Sequence, residues 1–254
     1  MDLARFGGDA PPGCPLDGVL ACALADARFH QLAYAALGIG QHATEGLWWV
    51  ERLATPYFMS AGTLSPRIGS EQVLDAVGDI AAVTQVRDCW GALDLSAGGF
   101  EARLDDPWMV RPPWPVPEQA FDVPGLEIRR AVTPEAVLEF ERTAVPDPPP
   151  PDHRAGDIHP AGTPTGGDLH FFTGFLDGRP VATALAAVHP QVVMVGAVRT
   201  RPQARGRGIG TALSAAAVAV APDRPAALGA RPLGVGLYRR LGFTACGHAW
   251  LWTR

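Results

Sequence analysis

Thr200-Arg201-Pro202-Gln203-Ala204-Arg205-Gly206-Arg207-Gly208-Ile209-Gly210-Thr211-Ala212-Leu213 is the stretch on which the reading of this chain turns. Val192-Val193-Met194-Val195-Gly196-Ala197-Val198, just before it, is β-branched and reads as a strand. The alanine-rich run after it, from about Gly208 to Ala221, reads as a helix. Between the two, three glycines and two arginines fall within Arg205–Gly210. A helix start leaves backbone N–H groups without internal partners, and the helix dipole adds positive charge there. Glycines let that backbone approach an anion closely and permit positive φ. Arg205 and Arg207 add guanidinium forks that match phosphate oxygens. The combination reads as a pyrophosphate cradle.

Two common phosphate patterns do not fit. A P-loop needs Gly-Lys-Ser/Thr, and this chain has no lysine. In the dinucleotide fingerprint, Gly206 and Gly208 would call for glycine at 211, where Thr211 stands.

Working outward, the second half shows a clear order of elements. Leu126–Val132 alternates like a strand. Thr133-Pro134-Glu135 opens a helix, with Thr133 as the N-cap and Pro134 at the first helical position. A proline-rich run, Pro146–Pro151, leads into a Gly/His/Pro/Thr-rich loop ending near Gly167; loops that long are usually functional or disordered. Leu169–Leu176 is a strand, Asp177-Gly178 a hairpin turn, Val181–Val188 the return strand and Val192–Thr200 a third. After the helix come a short strand at Ala226–Ala230, a helix at Leu233–Leu241 and a last strand at Thr244–Thr253.

Arg205-x-x-Gly208-x-Gly210, preceded by a strand and a proline, resembles the coenzyme A motif of the GNAT superfamily of N-acyltransferases. Leu237-Tyr238-Arg239-Arg240-Leu241-Gly242-Phe243 resembles the Leu-Tyr-x-x-x-Gly-Phe signature of the same family. The resemblance implies an α/β (α+β) fold, a GNAT-like mixed sheet flanked by helices. It implies acetyl-CoA as co-substrate without a metal, and transfer of the acetyl group to a primary amine by direct attack in a ternary complex. Carried onto this chain, the backbone of Val198 and Thr200 holds the pantetheine arm. The amides of Arg205, Gly206, Arg207, Gly208, Ile209, Gly210 and Thr211 hold the pyrophosphate. Tyr238 is the expected general acid for the departing thiolate. The family often has a carboxylate on the strand before the glycine turn; Val192–Val198 has none. His170, Asp168 and His189 stand as candidates for the base, and Arg231 departs from the small polar residue often found there. The alternative is a non-catalytic CoA-binding or sensor pseudo-enzyme. An unusual acyl donor, such as succinyl- or propionyl-CoA, is a third reading.

The first half is less legible. Pro15–Gly38 suits an amphipathic helix, broken at Ala25-Asp26; Trp48–Leu53 suits a helix or strand, Ser70–Val77 a capped helix and Ala82–Val86 a strand. Leu53–Met59 and Trp108–Arg111 resemble segments of tandem bacterial GNAT proteins, which implies a degenerate copy that walls the acceptor site or forms an interface. It contains no Arg-x-x-Gly-x-Gly and is not expected to bind CoA. Arg111–Pro117 is proline-rich and reads as extended. The expected division is a degenerate GNAT-like domain or a plain helical or α/β cap at 1–117, a linker at 118–125, and a catalytic domain at 126–254.

At 254 residues, 47% hydrophobic and 19% charged, the chain suits a globular protein with an ample core. Its net charge of −5 disfavours a nucleic-acid partner. The start lacks a basic segment followed by an apolar core, and Pro15–Gly38 carries Asp17, Asp26 and Arg28, which argues against a signal peptide or a membrane span. Four cysteines without CxxC or zinc spacing read as reduced thiols in a cytoplasmic protein. A small-molecule or peptide amine is the expected partner, with the chain a monomer or homodimer.

Overall fold

The computed structural model describes residues 17–53, 55, 57–113, 121–146, 148–165 and 167–254. The first half comprises helix α1 (Gly18–Ala36), strands β1 (Gln41–Ala43), β2 (Leu47–Val50) and β3 (Ala61–Thr63), helix α2 (Ser70–Val77), strand β4 (Gln85–Asp88) and the long strand β5 (Glu101–Arg111). The second half runs β6 (Leu126–Arg130), α3 (Pro134–Ala144), β7 (Leu169–Leu176), β8 (Arg179–His189), β9 (Val192–Thr200), α4 (Ile209–Val218), β10 (Ala226–Gly229), α5 (Val235–Arg240) and β11 (Thr244–Thr253). The second half follows the expected order throughout, with α4 ending a turn early.

Local chemistry accounts for these elements. Thr133 Oγ1 accepts the Ala136 N–H at 3.3 Å and caps α3, with Pro134 in its first turn. Asp177 (φ 51°) and Gly178 (φ 74°) are both left-handed, as a two-residue turn between β7 and β8 requires. The expected break in α1 is absent: the helix runs unbroken through Asp26, a buried acid whose carboxylate pairs with Arg87 on β4. Of Trp48–Leu53, Trp48 to Val50 belong to a strand and the rest do not, and the strand expected from Ala82 begins only at Gln85.

All strands among the described residues join one sheet of eleven, in the order β1-β2-β3-β4-β11-β5-β10-β9-β8-β7-β6. From the centre outward the order repeats. Beside β11 lie β4, β3, β2 and β1; beside β5 lie β10, β9, β8 and β7. The parallel pairs also correspond, β3 with β4 and β9 with β10. At the middle the halves exchange strands: β11 of the second half sits between β4 and β5, and β5 of the first half sits between β10 and β11. The hydrogen-bonded sheet therefore crosses the chain boundary expected at 118–125, of which residues 118–120 lie outside the described residues. The expected extended run Arg111–Pro117 closes β5 at its start, and its residues 114–117 also lie outside them.

Helices cover both faces. On one face α1 packs Cys22, Leu24 and Ala25 against Trp108, Val192 and Ala227. On the other, α4 packs Ile209, Leu213 and Val218 with Val193, Val195 and Leu228. Leu24 and Leu213 are fully buried, and each such side chain contributes about 1.5–3 kcal/mol through removal from water. α3 lies on the α1 side of the sheet, with Val137 and Phe140 against Phe171 and Leu185.

Candidate functional site

The site is an opening between β9 and β10. These parallel strands pair only at Ala226↔Val193 and Ala227↔Met194. Beyond Met194 no strand of the described residues pairs with β9 on that side, so its edge from Val195 to Thr200 faces the gap. On its other edge β9 carries a bulge. The pairs Leu185↔Gly196 and Thr183↔Arg199 leave Ala197 and Val198 opposite one residue of β8. Ala197 adopts φ 48°, rare for a residue with a side chain, and the Thr183 hydroxyl donates to its carbonyl at 2.8 Å. Such strain persists where the surroundings hold it, and it recurs at functional sites. Here it re-aims the backbone at Val198, the residue expected to hold the thioester arm.

At the end of β9 comes the turn that the sequence reading assigns to the cradle. Gly206 (φ 77°) and Gly208 (φ 81°) are both left-handed. Gly208 is the N-cap of α4, and no side chain of the described residues caps that end. Among the described residues, a Cβ at Gly206 would meet nothing within 4 Å, and one at Gly208 would meet Val123 Cγ2, at 3.5 Å. Arg205 and Arg207 are exposed on this turn, and Arg205 Nε donates to the Thr200 carbonyl at 3.1 Å. Ile209 and Thr211 are buried and anchor the first turn of α4 in the core. A Cβ at Gly210 would lie 3.0 Å from Leu237 Cδ1 and 3.3 Å from Thr200 Oγ1. Glycine at 210 thus lets α4, α5 and the end of β9 converge. The bare helix start, the left-handed glycines and the two guanidinium groups fit a pyrophosphate.

Tyr238 on α5 is 7% exposed, with the Phe243 ring 5.8 Å away. Burial, then the charge of Asp106, pushes its phenol up to about 12. The group therefore keeps its proton throughout the neutral and mildly alkaline range. Arg199 has its pKa lowered, first by burial and then by Arg205, Arg201 and Arg231. Arg199 and Arg201 reach back to the end of α3, where they donate to the Ala144 and Arg142 carbonyls at 3.3 and 3.4 Å.

The first half supplies an internal comparison. β3, β4 and α2 occupy the positions there that β9, β10 and α4 occupy in the second half. At this place the gap is closed: Thr63 Oγ1 accepts the Cys89 N–H at 2.9 Å across it. Trp48 covers Gly62, where a Cβ would come within 2.7 Å of Nε1. The start of α2 has no left-handed glycine; Gly69 sits at φ −92° and its N–H is satisfied by Gln72 Oε1 at 2.9 Å. Of two matching positions in one sheet, one is sealed by its own side chains and the other is open and lined with glycine.

Other residues singled out in the sequence lie elsewhere. His170 is on β7, with β8 and β9 between it and the gap, and its Nε2 is 2.8 Å from the Gly167 carbonyl. Asp168 pairs with Arg28 of α1. His189 sits opposite Val192, at the start of β9 and away from Thr200, and its Nδ1 accepts the Gln191 N–H at 3.1 Å. Arg231 follows β10 and is exposed, its Nε 4.0 Å from Asp106 Oδ2. Asp106, on β5, carries no motif and emerges only from the strand exchange. The proline-rich loop is anchored rather than loose over much of its length. The buried Glu141 carboxylate accepts the N–H groups of Gly156 at 2.8 Å and His159 at 2.6 Å. Cys22, Cys89 and Cys246 are free thiols; Cys14 lies outside the described residues. Among the described residues no cluster of three or more His, Cys, Asp or Glu side chains could hold a metal ion, and no helix is long and apolar enough to cross a membrane.

Residues 135–243 match the family model described as "Acetyltransferase (GNAT) family". No curated protein matches the chain. Among solved structures it is similar to a GCN5-related N-acetyltransferase from Kribbella flavida, with a TM-score of 0.63, 20% identity, and 92% of this chain and 96% of that one covered. A GCN5-related N-acetyltransferase-like protein from Streptococcus suis 89/1591 aligns with a TM-score of 0.55 and 11% identity over 99% and 96% of the two chains. A tandem GNAT protein from the clavulanic acid biosynthesis pathway aligns with a TM-score of 0.50 and 14% identity over 91% and 94%. At these identities the likeness is one of fold, and it extends over both halves.

Proposed function

We propose, from a chain whose residues 135–243 are a GNAT acetyltransferase domain, that it moves an acetyl group from acetyl-CoA to a primary amine by direct attack in a ternary complex. The observation that carries this reading is the contrast between the two halves: an open β9–β10 gap ending in a left-handed glycine turn, beside a sealed counterpart. A turn kept only for packing would have no reason to leave the start of α4 uncapped and exposed.

In this reading the amides from Arg205 to Thr211 bind the pyrophosphate, with Arg205 and Arg207 as counter-charges. The backbone of Val198 and Thr200 orients the pantetheine arm along the free edge of β9. Acetyl-CoA supplies the activated acyl carbon; the protein holds it beside the amine and excludes water. Tyr238, buried and protonated, donates its proton to the thiolate as it leaves. Residues 126–254 then form the catalytic part, completed by β5 of the first half, whose own gap is not built for a ligand.

The rival reading, a CoA sensor without turnover, draws support from the lack of any carboxylate on β9. One experiment separates the two: titration of acetyl-CoA and free CoA, followed by thiol-release assays with a panel of primary amines. Micromolar binding with amine-dependent thiol release supports the enzyme. Binding without release from any amine supports the sensor. Absence of binding at millimolar acetyl-CoA refutes both.

A further inference from the structure

An acyl transfer to an amine needs a group to take the ammonium proton, and β9 offers none. We infer that Asp106, carried on a strand of the first half, receives the acceptor's ammonium in the gap and takes its proton. The inference rests on the acyltransferase reading above.

The geometry begins with the strand exchange. β5 lies next to β10 and antiparallel to it, so residues before Trp108 reach the end of β10 where the gap opens. Against β11, the pairs Leu104↔Trp250 and Pro107↔His248 set Asp105 and Asp106 opposite the single residue Ala249. A bulge of this kind redirects side chains. Asp105 is engaged: Arg87 Nη2 lies 3.1 Å from its Oδ2, and Arg103 Nη1 lies 3.9 Å from its Oδ1. Asp106 is not held in this way. Among the described residues its ion-pair contact is the exposed Arg231 Nε, at 4.0 Å.

Between Asp106 and the gap stands Gly229, paired with Trp108. Lacking a side chain, it leaves a window. A Cβ there would lie 3.9 Å from Asp106 Cβ and 3.6 Å from Trp108 Cζ3. The Asp106 side chain is 38% exposed and open to a ligand. Its charge also helps to raise the Tyr238 phenol, so the two groups interact electrostatically.

The step balances. The ammonium gives one proton to the Asp106 carboxylate. The neutral nitrogen attacks the thioester carbonyl carbon; a C–N bond forms and the C–S bond breaks. The sulfur takes the Tyr238 proton, and the nitrogen's surplus proton returns to the phenolate through water. Asp106 then releases its proton to solvent, leaving one amide, one CoA thiol and one free proton.

The test compares ethylamine, an ammonium at pH 7, with trifluoroethylamine, largely neutral there. For Asp106→Asn, kcat/KM with ethylamine should fall by about 10²-fold or more, the range of general-base contributions. With trifluoroethylamine it should change little, and acetyl-CoA affinity should match the parent. Asp106→Glu should recover part of the ethylamine rate. If the parent releases thiol with no amine of the panel, ethylamine and trifluoroethylamine included, the acyltransferase reading fails and takes this inference with it. If the parent is active and Asp106→Asn keeps the ethylamine rate, or slows both amines equally, the assignment of Asp106 alone is overturned.

Discussion

Replacing Gly208 with valine tests the cradle through two separate readouts. Gly208 holds φ 81°, and a left-handed conformation costs a residue with a Cβ roughly 1–2 kcal/mol, with a β-branched side chain at the upper end. Steric conflict adds little, because the nearest atom to a Cβ there is Val123 Cγ2 at 3.5 Å. For a chain of this size each kcal/mol lowers the melting temperature by about 2–4 °C, so the variant should melt about 2–8 °C below the parent. The second readout is the ligand. At a concentration of about 100 Kd, acetyl-CoA adds about 2.7 kcal/mol to the stability of a protein that binds it only when folded. The valine side chain projects from the helix start into the space assigned to the pyrophosphate, so that gain should disappear. Gly242→Ala provides the control. Gly242 has φ 83° and nothing within 4 Å of its Cβ, but it lies after α5, outside the cradle. It should show a loss of melting temperature of the same order and keep the full acetyl-CoA shift. Differential scanning fluorimetry with and without acetyl-CoA reads both quantities. A Gly208→Val protein that retains the ligand shift would refute the cradle; one that melts with the parent would refute the strain argument.

Other predictions follow from the same structure. Tyr238→Phe should lower turnover by about 10²-fold or more while leaving acetyl-CoA affinity unchanged, since the phenol is proposed to act only on the leaving thiolate; unchanged turnover would remove the general-acid role. His159, enclosed by Phe58, Phe140 and Phe171, has its pKa lowered by burial from 6.5 to about 4. The unfolded chain therefore binds its proton first, so stability is full above about pH 6.5 and falls by up to about 3 kcal/mol as pH drops towards 4. In urea titrations His159→Leu should flatten that slope, and a parent-like slope would show that other groups carry it. Residues 126–254 expressed alone should fail to give a cooperative melt, because β10 and β11 lose the strand that joins them; a sharp melt with acetyl-CoA binding would show that β5 is dispensable.

The second half was legible because its signals are local. A capping threonine, a left-handed Asp-Gly turn, alternating strands and a glycine turn each speak within a few residues. The first half was not, since β1 and β3 span three residues each, too short for alternation to register. The break expected at Asp26 failed for a related reason. An acid on the buried side of a helix looks like an interruption until its partner is known, and Arg87 lies far along the chain. Asp106 was the hardest to find. In Arg-Leu-Asp-Asp-Pro it is one of two adjacent acids with nothing to distinguish them. Only the pairing of β5 with both β10 and β11, a non-local register, sends one to Arg87 and leaves the other by the gap.

The exchange of strands also bears on why a half with a sealed gap would persist in the chain. Had the halves been two sheets touching at their surfaces, the first could be lost at the cost of an interface. Instead each half's last strand fills the central slot of the other, so removing the first half strips β11 of both neighbours and bares an edge of β10. The first half is thereby held by folding rather than by ligand binding. Once the Thr63–Cys89 hydrogen bond and Trp48 close its own gap, that place needs no left-handed glycine turn, and Gly62 stays glycine because a Cβ there would meet Trp48 Nε1 at 2.7 Å. What stays constrained is β5: Trp108 and Met109 are buried, in the cores on opposite faces of the sheet, and Asp106 stands two residues before Trp108. A change there would be felt twice, in the packing of both halves and in the chemistry of the one that remains open.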